Sequence, residues 1–93
     1  MFGMEFEWDD DKNQKNIVKH GISFKTAALV FADDNYLELF DEAHSDEEDR
    51  YIAIGLVNDI LTVVHTYRGE RIRIISSRRA TENEKRLYYD RDI

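Results

Sequence analysis

The sequence predicts an α+β fold: an antiparallel sheet packed by two N-terminal helices, with a C-terminal helix at its edge. Three observations carry that prediction. Residues 50–77 fall into three runs rich in Ile, Val, Tyr and Thr, broken by Asn58-Asp59 and Gly69-Glu70, the pattern of two consecutive hairpins. Phe24, Ala27, Ala28 and Phe31 recur at i, i+3, i+4 and i+7, an apolar stripe able to cover a sheet. Thr81 and Glu84 form a capping box that opens a last helix. At 93 residues the chain is far below the roughly 250 at which a single core divides, so the elements share one domain over 1–93.

The elements follow in order. Residues 5–8 alternate apolar and acidic side chains, as a first strand or a lead-in to one. Asp9, Asp10 and Asp11 supply an N-cap and first-turn negative charge for a helix ending near His20, with Gly21 just past it. Lys12, Lys15 and Lys19 line one face of that helix, which offers little apolar surface beyond Ile17 and Val18 and is therefore largely exposed. Ser23 caps the second helix, which stops at Asp33-Asp34-Asn35. A strand over 36–40 then leads into an acidic, mobile connection over 41–49.

Two-residue turns in both hairpins would set Ile54 opposite Val63 and His65 opposite Ile74. One face then collects Ile52, Ile54, Leu56, Leu61, Val63, Ile72 and Ile74 with His65 and Tyr67, a core face for the helices. The other collects Tyr51, Ala53, Thr62, Val64, Thr66, Arg68, Arg71, Arg73 and Ser77. Leu87, Tyr88 and Tyr89 dock the last helix on the sheet edge.

Composition excludes several function classes. With no Cys there is neither a disulfide framework nor a Cys-based zinc site, and three scattered His argue against a dedicated metal cage; no cofactor is implied. No stretch approaches the ~20 apolar residues of a membrane span, and the start lacks a basic region followed by an apolar one, so the expectation is a cytoplasmic protein without a membrane partner. Phosphate-cradling Gly motifs and His-Glu-x-x-His are absent.

The formal charge of −7 hides a polarised distribution. Residues 1–49 hold fourteen acidic side chains against four Lys, a balance of −10, whereas residues 50–93 hold nine basic against six acidic, a balance of +3. Arg68, Arg71, Arg73, Arg78 and Arg79 fall within twelve residues. Arg presents a planar, permanently charged fork suited to phosphate, so the cluster points to an anion site. The competing reading is a set of solvated positions pairing with the acidic half. An Arg-bearing sheet face with the Thr66 and Ser77 hydroxyls and a Tyr-bearing helix beside it suits an RNA phosphodiester. RNA carries its own nucleophile, the 2′-OH, and needs orientation, phosphate neutralisation and proton transfer to cleave.

Trp8-Asp9, Lys12, Asn16, the block Lys19-His20-Gly21-Ile22-Ser23-Phe24, then Arg50, Ile54-Gly55 and the block Arg71-Ile72-Arg73-Ile74-Ile75-Ser76-Ser77-Arg78-Arg79-Ala80 together resemble the BrnT family over residues 6–90. The resemblance implies the toxin of a type II toxin–antitoxin module, with a RelE-like fold and a ribonuclease activity that blocks translation. It also implies a BrnA-type antitoxin as partner in a hetero-oligomer, with operator DNA reached only through that antitoxin.

Under this reading Arg78 is the first choice for contacting the scissile phosphate and Arg50 the next. Arg71 and Arg73 act as clamps, with Arg68 and Lys19 as further RNA contacts. Histidine is the side chain that ordinarily titrates nearest neutrality, which makes His65 a proton-transfer candidate, although its place on the core face equally suits a satisfied interior residue. Glu84 competes as a base, with its cap role as the alternative. Tyr88 either stacks on a base or packs its helix. The face assignment sets Arg78 and Arg50 on the His65 side and Arg71 and Arg73 opposite, unless a bulge swaps them. Two non-enzymatic readings stay open: a catalytically inactive toxin-like binding module, and an interaction domain whose Arg pair with acidic neighbours. The enzyme reading requires Arg71, Arg73 and Arg78 to be exposed around one concavity instead of paired off singly.

Overall fold

The computed structural model describes residues 4–90; the outermost residues of the domain expected over 1–93 lie outside the described residues. The first helix, α1 (Asp10–His20), begins where Asp9 accepts the Lys12 N–H at 3.1 Å and ends where Gly21 turns left-handed at φ 72°. Lys19 and His20 in its last turn face the negative end of the helix dipole. Asn16 is its one buried residue, so α1 is as exposed as its composition requires. The Asn16 side chain donates to the Ile22 and Ser77 carbonyls at 2.8 and 2.9 Å and accepts the Ser77 N–H at 3.1 Å, clamping helix to sheet. Ser23 caps α2 (Phe24–Ala28), which tightens into a 3-10 turn over Leu29–Ala32 instead of continuing as one helix to Asp33. The last helix is α3 (Glu82–Asp90).

Five strands, β1 (Glu5–Glu7), β2 (Leu37–Phe40), β3 (Tyr51–Val57), β4 (Asp59–Arg68) and β5 (Arg71–Arg79), lie in the order β1-β5-β4-β3-β2. The expected all-antiparallel sheet is mixed, because β1 runs parallel to β5. Helix α3 lies over one face, not at an edge: Tyr88 is buried against Ile54 and Ile60, with Leu37 and Ile52 beside them. Phe24, Ala27, Val30 and Phe31 cover the opposite face and meet Ala53, Leu61, Val63, Ile72 and Ile74. Among the described residues no helix is long and apolar enough to cross a membrane.

Two local features move side chains from the expected faces. Asn58 alone bridges β3 and β4 at φ 62°, a conformation Asn tolerates, so Val57 faces Asp59 and Ala53 faces Val63. A one-residue slip exchanges the faces of a whole strand. Tyr51 and Ala53 therefore stand on the α1/α2 face, while Ile52, Ile54 and Leu56 turn to the α3 face. The second hairpin keeps the expected register from Arg68↔Arg71 to His65↔Ile74. There Ile75 bulges, and Val64 pairs with Ser76 and Thr62 with Arg78. Beyond the bulge Arg78 shares a face with Arg71 and Arg73, and Ser77 turns into the core, fully buried.

Candidate active site

The bulge and the slip bring Arg78, Ser76, Ile75, Val64 and Ile52 to the α3 face of the sheet. There they line a cavity of about 330 Å³ with Arg50, Asp41 and His44. Arg50 stands immediately before β3, and the chain leading to it is closed by hydrogen bonds. The Ser45 hydroxyl donates to the Asp41 carbonyl at 2.6 Å and accepts the Arg50 N–H at 2.9 Å, while the Asp41 N–H donates to the Arg50 carbonyl at 2.8 Å. Thr66 fastens the same connection by donating to the Asp49 carbonyl at 2.6 Å. The acidic segment expected to be a mobile connection is thus built around a short turn over Glu42–His44 and tied to both β3 and β4.

Arg78 meets Glu84 with two parallel bonds, Nη1 to Oε1 at 2.8 Å and Nη2 to Oε2 at 3.0 Å. Nη1 also donates to the Arg79 carbonyl at 3.3 Å, which leaves two of the guanidinium's five donors unused by these partners. Oε1 of Glu84 additionally accepts the Thr62 hydroxyl and the Thr81 N–H, both at 2.9 Å, and the Glu84 N–H donates back to Thr81 at 3.2 Å. Burial pushes the Glu84 carboxyl up, but the bonds from Arg78, Thr81 and Thr62, aided by the Arg78 charge, outweigh it and hold the group at about 2. Such a carboxylate is a weak base. The capping box is present, and Glu84 orients Arg78.

The other expected site residues do not join this cavity. Arg71 pairs with Glu5 at 3.2 Å and with Glu7 at 3.6 Å, and Arg73 pairs with Glu7 at 2.9 Å. The cause is β1: its parallel register sets Glu5 beside Arg71 and Glu7 beside Arg73, and the Arg73 hydrogen bond lowers the Glu7 carboxyl. Arg68 reaches Glu48 at 3.4 Å, and Arg79 reaches Asp59 at 3.2 Å. The expected open clamp of Arg71, Arg73 and Arg78 is therefore not formed. Among the described residues the Arg50 guanidinium makes no ion pair, so of the two Arg that line this cavity the open fork is that of Arg50.

His65 has no exposed surface and lies on the α1/α2 face. Its Nδ1 sits 3.1 Å from the Val63 carbonyl and its Nε2 3.3 Å from Glu38, with Phe31, Tyr51 and Tyr67 rings around it. A ring so enclosed meets no substrate, which corrects the proton-transfer expectation in favour of the interior one. Tyr88 is buried and donates to Asp33 at 2.6 Å, so it packs its helix and stacks on no base. Lys19 lies on exposed α1, over the opposite face. Ser77 is buried on that face too; the hydroxyl-bearing residue that lines the cavity is Ser76.

Asp41 and His44 were not singled out from the sequence. The Nδ1 of His44 lies 3.2 and 3.0 Å from the two Asp41 oxygens, and the His44 side chain is 70% exposed against 13% for Asp41. In a 3-10 turn, residues three apart eclipse, so an Asp three residues before a His at such a turn brings the two together. That spacing, just ahead of an Arg that opens a strand, is the signal that would have found them.

Comparisons with known proteins add an independent line. The family model of the ribonuclease toxin BrnT of type II toxin–antitoxin systems matches residues 8–84. A search of curated proteins finds no match. Among solved structures, the Brucella abortus ribonuclease toxin BrnT, a crystal structure, superposes with a TM-score of 0.65 at 28% identity, over 85% of this chain and 99% of that one. Taken with the two sequence blocks and the fold that joins them, these matches show that the chain belongs to the family of BrnT ribonuclease toxins of type II toxin–antitoxin systems.

Proposed function

We propose that this chain is a metal-independent endoribonuclease that cleaves RNA by attack of the substrate's own 2′-OH and thereby inhibits translation in the cytoplasm. In the same reading the fold is RelE-like, and a BrnA-type antitoxin neutralises the toxin and carries the link to operator DNA. The observation that carries the proposal is the meeting of Arg50 and Arg78 on one cavity. Arg78 is fixed in direction by Glu84, while the Arg50 fork is open. Two guanidinium groups on one cavity stabilise the negative charge that builds on the nonbridging phosphate oxygens during attack, which is the contribution a metal ion would otherwise make. A volume of about 330 Å³ is at the small end of ligand sites, so it suits one nucleotide of an unpaired strand rather than a duplex.

A second reading, a toxin-like module that binds but does not cleave, draws on two observations. Arg68, Arg71, Arg73 and Arg79 each pair with Asp or Glu, and Asp46, Glu47 and Glu48 line a neighbouring cavity with Arg50, an acidic rim that repels RNA. Incubating the purified chain with naked RNA in EDTA, and separately with ribosomes in a Mg²⁺-containing buffer, decides between the two. Fragments ending in 2′,3′-cyclic phosphate support the ribonuclease; intact RNA in both conditions supports the binding module.

A further inference from the structure

Cleavage at the Arg50 cavity requires a group to take the 2′-OH proton, and the expected candidates do not supply one. His65 is enclosed on the other face, and Glu84 is held at about 2 by the donors around it. Of the two proton acceptors on the cavity wall, Asp41 is 13% exposed with both carboxylate oxygens on the His44 ring, whereas His44 is 70% exposed, so His44 is the one presented to a substrate. His44 lines both the cavity it shares with Arg50, Ser76 and Arg78 and the adjoining one of about 280 Å³, so it and Arg50 border the same open space. Its ring is held on one side only. An ionised carboxylate accepts but does not donate, so the contacts from Nδ1 to Asp41 place a ring hydrogen on Nδ1, and in the neutral ring the lone pair is then on Nε2. Asp41 is itself anchored through its N–H and carbonyl to Arg50 and Ser45, which couples the position of the ring to that of the phosphate-binding Arg.

We propose that His44 is the general base of this site and Asp41 its positioning residue, an assignment that rests on the ribonuclease reading above. In its neutral form His44 accepts the 2′-OH proton at Nε2 as the bond from O2′ to phosphorus forms. The bond from phosphorus to O5′ breaks, and O5′ leaves with a proton drawn from water. The imidazolium returns its proton to the resulting hydroxide. The products are a 2′,3′-cyclic phosphate and a 5′-hydroxyl, with no change in oxidation state. Arg50 and Arg78 hold the nonbridging oxygens while this happens, and the exposure of His44 gives an extended strand access to the ring.

The test compares wild type, His44→Ala and Asp41→Asn in single-turnover cleavage of an RNA oligonucleotide, alone and on ribosomes. Affinity is measured separately with the 2′-O-methyl form of the same oligonucleotide, which binds but lacks the nucleophile. A positioned base is worth about 10²- to 10⁴-fold. His44→Ala is expected to lose cleavage in that range, to keep its affinity for the 2′-O-methyl probe, and to recover part of its rate with added imidazole. Asp41→Asn is expected to show a smaller loss, also without loss of affinity. Cleavage by His44→Ala at the wild-type rate overturns the assignment and leaves the ribonuclease reading intact. Parallel loss of cleavage and affinity with no imidazole rescue also overturns it, marking a structural role. Wild-type protein that cleaves in neither setting overturns the ribonuclease reading and this assignment with it.

Discussion

Arg78 and Glu84 meet fork to fork, at 2.8 and 3.0 Å, and the contact joins the end of β5 to the first turn of α3. One carboxylate thus closes a helix cap, satisfies Thr62 on the sheet and aims a guanidinium at the cavity. A single acidic residue therefore couples the packing of α3 to the geometry of the site.

That coupling gives the fold an acid-sensitive element. The folded Glu84 carboxyl lies at about 2, below the ordinary glutamate value of about 4.3, so folding favours its charged form. Its stabilisation is complete above roughly pH 5 and is lost as the pH falls toward 2. Glu84→Gln is expected to cost about 1–2 kcal/mol at neutral pH, at the lower end for a charged hydrogen bond because Arg78 is partly exposed. Urea unfolding followed between about pH 6 and 2 should show a steeper fall for wild type than for the variant. Parallel curves would remove Glu84 from this role.

Asn16→Ala is expected to destabilise more than any exposed substitution on α1. It strands the buried Ser77 N–H and the Ile22 and Ser77 carbonyls, and each stranded group costs about 1–3 kcal/mol. Thermal unfolding should show the loss, while Val18→Ala, 87% exposed on the same helix, should change little. Equal midpoints for the two variants would mean that the Asn16 clamp contributes nothing.

Gly55 is required by contact, not by turn geometry. A Cβ there would lie 2.8 Å from Val30 Cγ1 and 3.1 Å from the Val30 carbonyl, and backbone does not give way cheaply. Gly55→Ala is expected to cost about 1–3 kcal/mol by overpacking. Adding Val30→Ala relieves only the side-chain clash, so the double variant should recover only part of the loss, read from denaturant midpoints.

Much of the fold is legible in the residues. Asp9, Gly21, Ser23 and the Thr81–Glu84 box mark helix ends because capping is local chemistry. The second hairpin follows from Gly69-Glu70. Face assignment failed where it depended on a single residue: Asn58 closes the first hairpin alone, and Ile75 bulges, and neither event leaves a compositional trace. The strand over 5–7 reads as a first strand or a lead-in, and because its pairing with β5 is parallel and spans 66 positions, pairing of the Arg with the acidic half stood only as a competing reading, without Glu5 and Glu7 named as the partners of Arg71 and Arg73. The Arg residues were visible as a cluster, but which of them remains open is decided by tertiary partners. His44 lies inside the acidic run 41–49, whose composition reads as a solvated connection whatever ring it carries.

If Arg71 and Arg73 serve to hold β1, replacing them should leave catalysis nearly unchanged. The pairs are partly exposed, so each contributes little to stability. The double alanine variant is expected to melt slightly earlier and to cleave RNA within about threefold of wild type. A collapse of cleavage in a protein that still folds would place these Arg on the substrate path.

The proposed ribonuclease acts at the cavity that Arg50 lines. The most direct measurement is single-turnover cleavage of RNA by Arg50→Ala and Arg50→Lys, alone and on ribosomes, beside unfolding curves for both and a growth assay on expression of each. Arg50→Ala is expected to fold as wild type does, to lose cleavage by about 10²-fold or more for want of a charged donor at the phosphate, and no longer to arrest growth. Arg50→Lys should keep only a small part of the rate, since an ammonium does not reproduce the fork. A folded Arg50→Ala that cleaves RNA and arrests growth as wild type does would place RNA cleavage elsewhere than this cavity.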